Sequence, residues 1–297
     1  MPSPEFESVV EMLKAQPLLA GASFEEMRRG MEVLTSTLPL PEGVEVEAVS
    51  AGGVACEWVT APRARSDRTL MYLHGGGYTL GSLDTHRNLA AGLSAAAGLR
   101  CLLVDYRLAP ENPHPAALED ATAVYRWLLG QGNDPAGLAI GGDSAGGGLT
   151  AATLVALRDG GDVLPAAAVL LSPWVDLEGS GDSMVERAAV DPMVNAPVLN
   201  RMAEAYLGGL DLRTPLASPL YAELGGLPPL LIQVGTEETL YDDSTRFADK
   251  ARQAGVEVDL EVWPEMIHVF QAFAPMVPEA REAVSKIGDF LKQRLDG

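Results

Sequence analysis

The 297-residue chain is short of cysteine, of positive charge and of long apolar runs, and each shortage excludes something. Its two cysteines, Cys56 and Cys101, fall within or next to strand-like runs, so two buried free thiols are expected rather than a disulfide. Lys and Arg total 21 against 41 Asp and Glu, a net charge of −20. That balance argues against nucleic acid and against an anionic membrane surface as partners. No apolar run approaches the roughly 20 residues that a bilayer span needs. Met1 to Glu7 lack a basic start followed by an apolar core, so no secretory leader is expected and a cytoplasmic location is. The patterns H-E-x-x-H, paired C-x-x-C and the P-loop are missing, and neither a metal nor another cofactor is expected. Internal repeats and low-complexity stretches are missing too. The length suits one large α/β domain with an attached cap.

The most informative stretch runs from Leu138 to Gly148. An apolar run ends in Gly142-Asp143-Ser144-Ala145-Gly146, and a helix-period stretch follows. This is G-x-S-x-G at a strand-to-helix turn, the nucleophile elbow of α/β-hydrolases. A serine on so sharp a turn has strained dihedrals, and glycines two residues to either side leave room for the crossing backbone. The turn lifts the Ser144 hydroxyl above the sheet and sets the Ala145 N–H at a helix start, facing a developing oxyanion. A glycine-rich turn without chemistry is the plain alternative. Gly146 to Ala151 also fits G-x-G-x-x-A, but in a dinucleotide fold the first glycine follows the strand directly, in the first βα unit, and neither condition is met.

A second strand runs into His74-Gly75-Gly76-Gly77, the HGGG form of the oxyanion-hole loop of lipases and esterases. Gly76 and Gly77 are the expected donors, joined by Ala145. His74 precedes the nucleophile and sits where a loop must be held, so its expected part is structural. The two motifs lie about 70 residues apart, each after an apolar strand, which makes chance a poor explanation. The order in this fold is Ser, then acid, then His. Of His74, His86, His114 and His268, only His268 follows Ser144, so it is the candidate base. The acid belongs after the strand Leu230 to Gly235. Asp242 and Asp243 open a helix, where acids need no catalytic reason; that leaves Glu237 or Glu238, and spacing does not choose between them.

With these residues in hand, the chain resembles the bacterial hormone-sensitive lipase family of carboxylesterases. His74 to Gly77 and Gly142 to Gly146 match its two signature motifs, Asp105 to Asp120 matches its Tyr-Arg-Leu-Ala-Pro-Glu segment, and Asp191-Pro-Met-Val194 resembles its second cap region. The family's acid motif laid on Gly235 to Asp243 implies Glu238, a departure from the commoner aspartate. The resemblance implies a Ser144, Glu238, His268 triad acting through an acyl-enzyme on small-molecule esters of short to medium acyl chain. Tyr78, Met193, Tyr206 and Leu207 are candidate pocket residues that could equally be core. Rival readings on the same fold are an amidase or peptidase and a non-catalytic small-molecule receptor; a dehalogenase would need Asp where Ser144 stands.

The expected fold is α/β: an α/β-hydrolase with an eight-stranded, mostly parallel sheet flanked by helices and a helical cap. Strands are read at Val44 to Ala51, Val54 to Thr60, Thr69 to Leu73, Arg100 to Tyr106, Leu138 to Gly142, Ala166 to Ser172, Leu230 to Gly235 and Val256 to Trp263. Residues 44–176 and 216–297 form the catalytic domain, and residues 1–43 and 177–215 the cap. In the first cap segment, Ser23 to Glu26 is a capping box, and Phe24, Met27, Met31 and Leu34 follow helical spacing. The last strand alternates apolar and acidic residues, a protection for an exposed edge. The resemblance also implies that strand 256–263 pairs across a homodimer, and both readings stand.

Overall fold

Apolar side chains alternate along the central strands and cover both faces of one sheet. The computed structural model describes residues 1–15, 21–35 and 40–296. Residues 16–20 and 36–39 of the expected cap, and the side chain of Leu34, lie outside the described residues. Two helices come first, α1 (Pro4–Ala15) and α2 (Phe24–Thr35). A hairpin follows, β1 (Glu45–Ala51) and β2 (Val54–Thr60), then β3 (Arg65–Leu73), α3 (Leu83–Ala97), β4 (Leu99–Val104) and α4 (Ala116–Gly130). Next come β5 (Leu138–Asp143), α5 (Ala145–Asp159), β6 (Ala167–Leu171), the short α6 (Ser183–Glu186) and α7 (Ala196–Leu207). The chain closes with β7 (Leu230–Gly235), α8 (Tyr241–Gln253), β8 (Val258–Trp263) and α9 (Pro278–Leu295).

The spatial order is β1-β2-β4-β3-β5-β6-β7-β8. β2 pairs antiparallel with β1 and β4, and every pair from β4–β3 to β7–β8 is parallel. On β3, Leu70 and Tyr72 join a core with Leu93 of α3 and Ile287 of α9. Met71 and Leu73, one residue out of step, join the opposite core with Leu128 of α4, Leu149 of α5 and Phe247 of α8. A two-residue side-chain period over a sheet covered on both faces requires this near-continuous apolar composition. Cys56 packs in the second of these cores and Cys101 in the first. They face opposite sides of the sheet as free thiols, and burial pushes the Cys56 thiol up to about 12. Among the described residues no helix is long and apolar enough to cross a membrane.

Three strand boundaries differ from the sequence reading by two residues or more. β3 begins at Arg65, which pairs with Leu99 across a register shift; its polar opening carries no apolar alternation to read. β4 ends at Val104, one residue after which the Asp105 N–H makes a last bond to the Ala55 carbonyl of β2; beyond it the Tyr106 hydroxyl donates to the His74 carbonyl, 2.6 Å away. β8 begins at Val258 because the Val256 N–H closes the preceding helix on Ala251. The Ser23–Glu26 capping box is present: Ser23 N donates to the Glu26 carboxylate at 2.7 Å, and Glu26 N donates back to Ser23 Oγ at 3.2 Å.

Candidate active site

β5 delivers Ser144 to the carboxyl edge of the sheet, where α5 begins. Ser144 has φ 52° and ψ −121°, in the left-handed half of backbone space where a side chain is strained. The surroundings hold it there. Its N–H donates to the Leu171 carbonyl at 2.8 Å, and its carbonyl accepts from Trp174 at 2.9 Å and Gly148 at 3.0 Å. A Cβ on Gly146 would overlap the Leu73 carbonyl, and one on Gly142 the Gly146 and Leu73 carbonyls. The two glycines of the motif are therefore demanded by the crossing of β3 behind the elbow. The Ser144 side chain is half-buried, and its hydroxyl makes no hydrogen bond among the described residues.

Beside it, β3 opens into the glycine loop. Gly76 and Gly77 have φ of 116° and 60°, and the Gly76 carbonyl closes the turn by accepting from Thr79 and Leu80. The N–H groups of Gly76, Gly77 and Ala145 donate to no acceptor among the described residues. His74 braces the loop from below. It stacks on Tyr106 at 4.3 Å, and its Nδ1 lies 2.8 Å from the Gly75 carbonyl. Burial, helped by the nearby His86, lowers its pKa to about 3.

Glu238 and His268 meet at the same carboxyl edge of the sheet, after β7 and β8. His268 Nδ1 lies 2.7 Å from Glu238 Oε2. Glu238 Oε1 accepts from Gly235 N at 2.7 Å and from Ser172 Oγ at 2.8 Å. Glu238 is fully buried and His268 nearly so. Burial pulls the His268 pKa down, but the hydrogen bond and charge of Glu238, with Asp191 and Asp143 beyond, outweigh it and leave the imidazole above its usual value. Glu237, the other acid that spacing allowed, is half-buried and points elsewhere: Thr236 Oγ1 lies 3.4 Å away and Arg187 4.0 Å away. The loop carrying His268 packs on α1, where Phe6, Val9 and Leu13 join Met266, Ile267 and Phe270 in one apolar cluster.

Of the four candidate pocket residues, Tyr78 and Tyr206 stack face to face at 3.7 Å and are each 1% exposed. Leu207 is buried in the same core, and Met193 is half-buried beside the α1 cluster. Tyr78 belongs to the glycine loop and Tyr206 to α7, so their stack ties one to the other. Three further residues did not stand out in the sequence. Met202 of α7 lies over the glycine loop, where its Sδ would overlap a Cβ on Gly77; it looked like any apolar helix position. Arg28 of α2 donates to the Thr79 and Ala109 carbonyls at 2.7 and 2.9 Å and pairs with Glu111 at 2.8 Å. Ser172 follows an apolar strand and precedes a proline, which reads as an ordinary turn. α2 and α7 also touch through the Arg201 guanidinium, 4.4 Å from the Phe24 ring centroid.

Comparison with known proteins places this geometry among relatives. A family described by the alpha/beta hydrolase fold matches residues 70–272. An acetyl-hydrolase of Streptomyces hygroscopicus is 47% identical over 296 residues, covering 98% of this chain and 97% of its own. A crystal structure of an esterase from the bacterial hormone-sensitive lipase family superposes with a TM-score of 0.96 at 49% identity, over 99% of each chain. The structure of EstE5 soaked with p-nitrophenyl butyrate gives 0.96 at 45% identity, over 99% of this chain and 100% of that one.

Proposed function

The chain belongs to the hormone-sensitive lipase family of bacterial carboxylesterases on the α/β-hydrolase fold, and from that membership we propose that it cleaves short- to medium-chain carboxylic esters through a Ser144–His268–Glu238 triad and an acyl-enzyme. It is a carboxylic ester hydrolase of the serine hydrolase type. Ser144 Oγ attacks the ester carbonyl as His268 Nε2 takes its proton. The Ser144–His268 contact closes when the ester binds, as such contacts do in many Michaelis complexes. Glu238, bonded to Nδ1, fixes the imidazole's tautomer and stabilises the imidazolium. His268 then protonates the leaving alcohol, and water repeats the sequence on the acyl-enzyme to release the acid.

The observation that carries this reading is the set of three backbone N–H groups, those of Gly76, Gly77 and Ala145, that have no protein acceptor among the described residues. Donors free of protein partners near a strained serine suit an oxyanion that exists only during turnover. Each such donor is worth about 10²–10³ in kcat. The short-chain preference is supported by what the relatives are called, an acetyl-hydrolase in one case, and by the p-nitrophenyl butyrate used to soak EstE5. Residues 1–43 and 177–215 serve as the cap, with the Arg201–Phe24 and Tyr78–Tyr206 contacts as its seams. β8, at the sheet edge, is the surface through which a homodimer would form.

The test is hydrolysis of p-nitrophenyl esters from acetate to palmitate, with Ser144→Ala alongside. Serine-dependent turnover peaking at short chains is expected. Well-folded protein with no turnover across the series would sink the proposal and turn attention to an amidase or a receptor.

A further inference from the structure

Ser172 belongs to none of the motifs that identify the site, yet it is the group on which the acid and the loop behind the base converge. It follows β6 and is fully buried. Its backbone sits at φ 44°, in the left-handed region that glycine adopts without cost and serine does not. A serine kept at such a position implies a use for its side chain. The hydroxyl has one proton to give and lone pairs to receive. Val269 N, 3.1 Å away, can only donate, so Ser172 Oγ accepts from it. The Glu238 carboxylate, 2.8 Å away, is left to receive the Ser172 proton. Both bonds therefore have a fixed direction.

Val269 directly follows His268 and is itself at φ 48°, a rare conformation for a β-branched residue. Two strained residues thus meet at one hydroxyl. With Oε1 held by Ser172 and Gly235 N, Oε2 is the oxygen presented to His268. A glutamate has one more rotatable bond than the aspartate common in the family, so its carboxylate has more need of a second anchor.

We propose that Ser172 is a positioning residue of the esterase reaction, its hydroxyl locking the Glu238 carboxylate and the backbone behind His268 into one register. This inference rests on the triad reading given above. It acts through other residues and touches no substrate, so its loss weakens the support of the imidazolium while leaving substrate binding alone.

The test compares Ser172→Ala and Ser172→Gly with the parent enzyme on p-nitrophenyl butyrate, with active sites counted by a p-nitrophenyl phosphonate. Glycine removes the hydroxyl and the backbone strain together, so it separates a lost hydrogen bond from a misfolded chain. Both variants are expected to lose about tenfold or more in kcat per titrated site, with KM within about twofold. The acid limb of their kcat/KM profile is expected to move down by about half a pH unit or more, because the imidazolium loses support. A kcat within about twofold of the parent in Ser172→Gly, an unmoved acid limb, or a change confined to KM would each overturn the proposal. His268→Ala is the control: inactive His268→Ala beside parent-like Ser172 variants sinks this inference alone, whereas active His268→Ala sinks the triad reading beneath it.

Discussion

Asp143 Oδ1 accepts the Gly75 N–H at 3.1 Å, so the residue before Ser144 holds the first glycine of the loop that faces it. Tyr72 also donates to Oδ1, at 2.8 Å, and His86 Nε2 lies 3.3 Å from Oδ2. Burial alone would raise the Asp143 pKa, but His86 and the Tyr72 hydroxyl outweigh it and hold the carboxyl below its usual range. Asp143→Ala leaves the Tyr72 hydroxyl buried without a partner and leaves the Gly75 N–H only the 3.3 Å contact with His86 Nε2, at a cost on the order of 2 kcal/mol. It also frees the glycine loop, so kcat is expected to fall about 10–100-fold. Urea unfolding and kcat per titrated site check the two effects, and unchanged values for both would refute this role.

Glu238→Ala is expected to lower kcat by about 10²–10⁴-fold, since loss of the orienting acid costs less than loss of the nucleophile or base. Glu237→Ala is expected to stay within about twofold. The opposite order in steady-state kinetics would reassign the acid.

The pH dependence has a definite sign. His268 must be neutral to accept the Ser144 proton, so kcat/KM rises with pH through its pKa. Because that pKa is raised from 6.5, the acid limb should have its midpoint above pH 6.5. Replacing Glu238 by Gln removes the charge that raises it and should move the limb down. A limb below 6.5 in the parent enzyme would contradict the described charge arrangement.

Gly77→Ala tests the roof over the site. An alanine at φ 60° is strained by roughly 1 kcal/mol, and its Cβ runs into the Met202 Sδ. The loop must shift, and kcat should fall about 10–100-fold. Met202→Ala on that background removes the overlap but leaves the dihedral strain, so only part of the activity should return. Gly77→Ala with parent-like kcat would show that the loop accepts a Cβ at this position without moving its donors.

Asp243 gives a stability prediction away from the chemistry. It is fully buried, with Oδ2 accepting from Val175 N and Asp176 N, each at 2.9 Å. Burial, reinforced by the charge of Asp176, raises its pKa from 3.8 to about 8. The folded state binds this proton more tightly than the unfolded state does. The resulting stabilisation is therefore full below pH 3.8 and is lost as pH rises to about 8. Asp243→Asn, which cannot ionise, should flatten the fall in Tm across that window. Parallel Tm-against-pH curves for the two proteins would rule this out.

Much of the architecture was legible because it depends on local repetition. A two-residue apolar period with helical stretches between is enough to read a mostly parallel sheet, and chain order isolates His268. What was not legible depends on contacts across the fold. Met202 has the same sequence signature as any buried helix residue, and only the path of the glycine loop beneath α7 distinguishes it. Choosing between Glu237 and Glu238 required the family motif, because adjacent residues share every local signal. Arg65 is strand by virtue of its partner Leu99, whereas the composition of Arg65 to Arg68 reads as loop. The position of His86 before Ser144 excludes it as the base, but chain order says nothing of its contact with Asp143.

Ser144, Glu238 and His268 hang from the ends of β5, β7 and β8, with β6 bonded between the first two. One hydrogen-bonded sheet therefore sets the spacing of all three side chains. The helix α7 lies outside that sheet and meets the glycine loop through side chains, the Tyr206 ring on Tyr78 and Met202 beside Gly77. The catalytic groups and the wall above them thus answer to different sets of contacts.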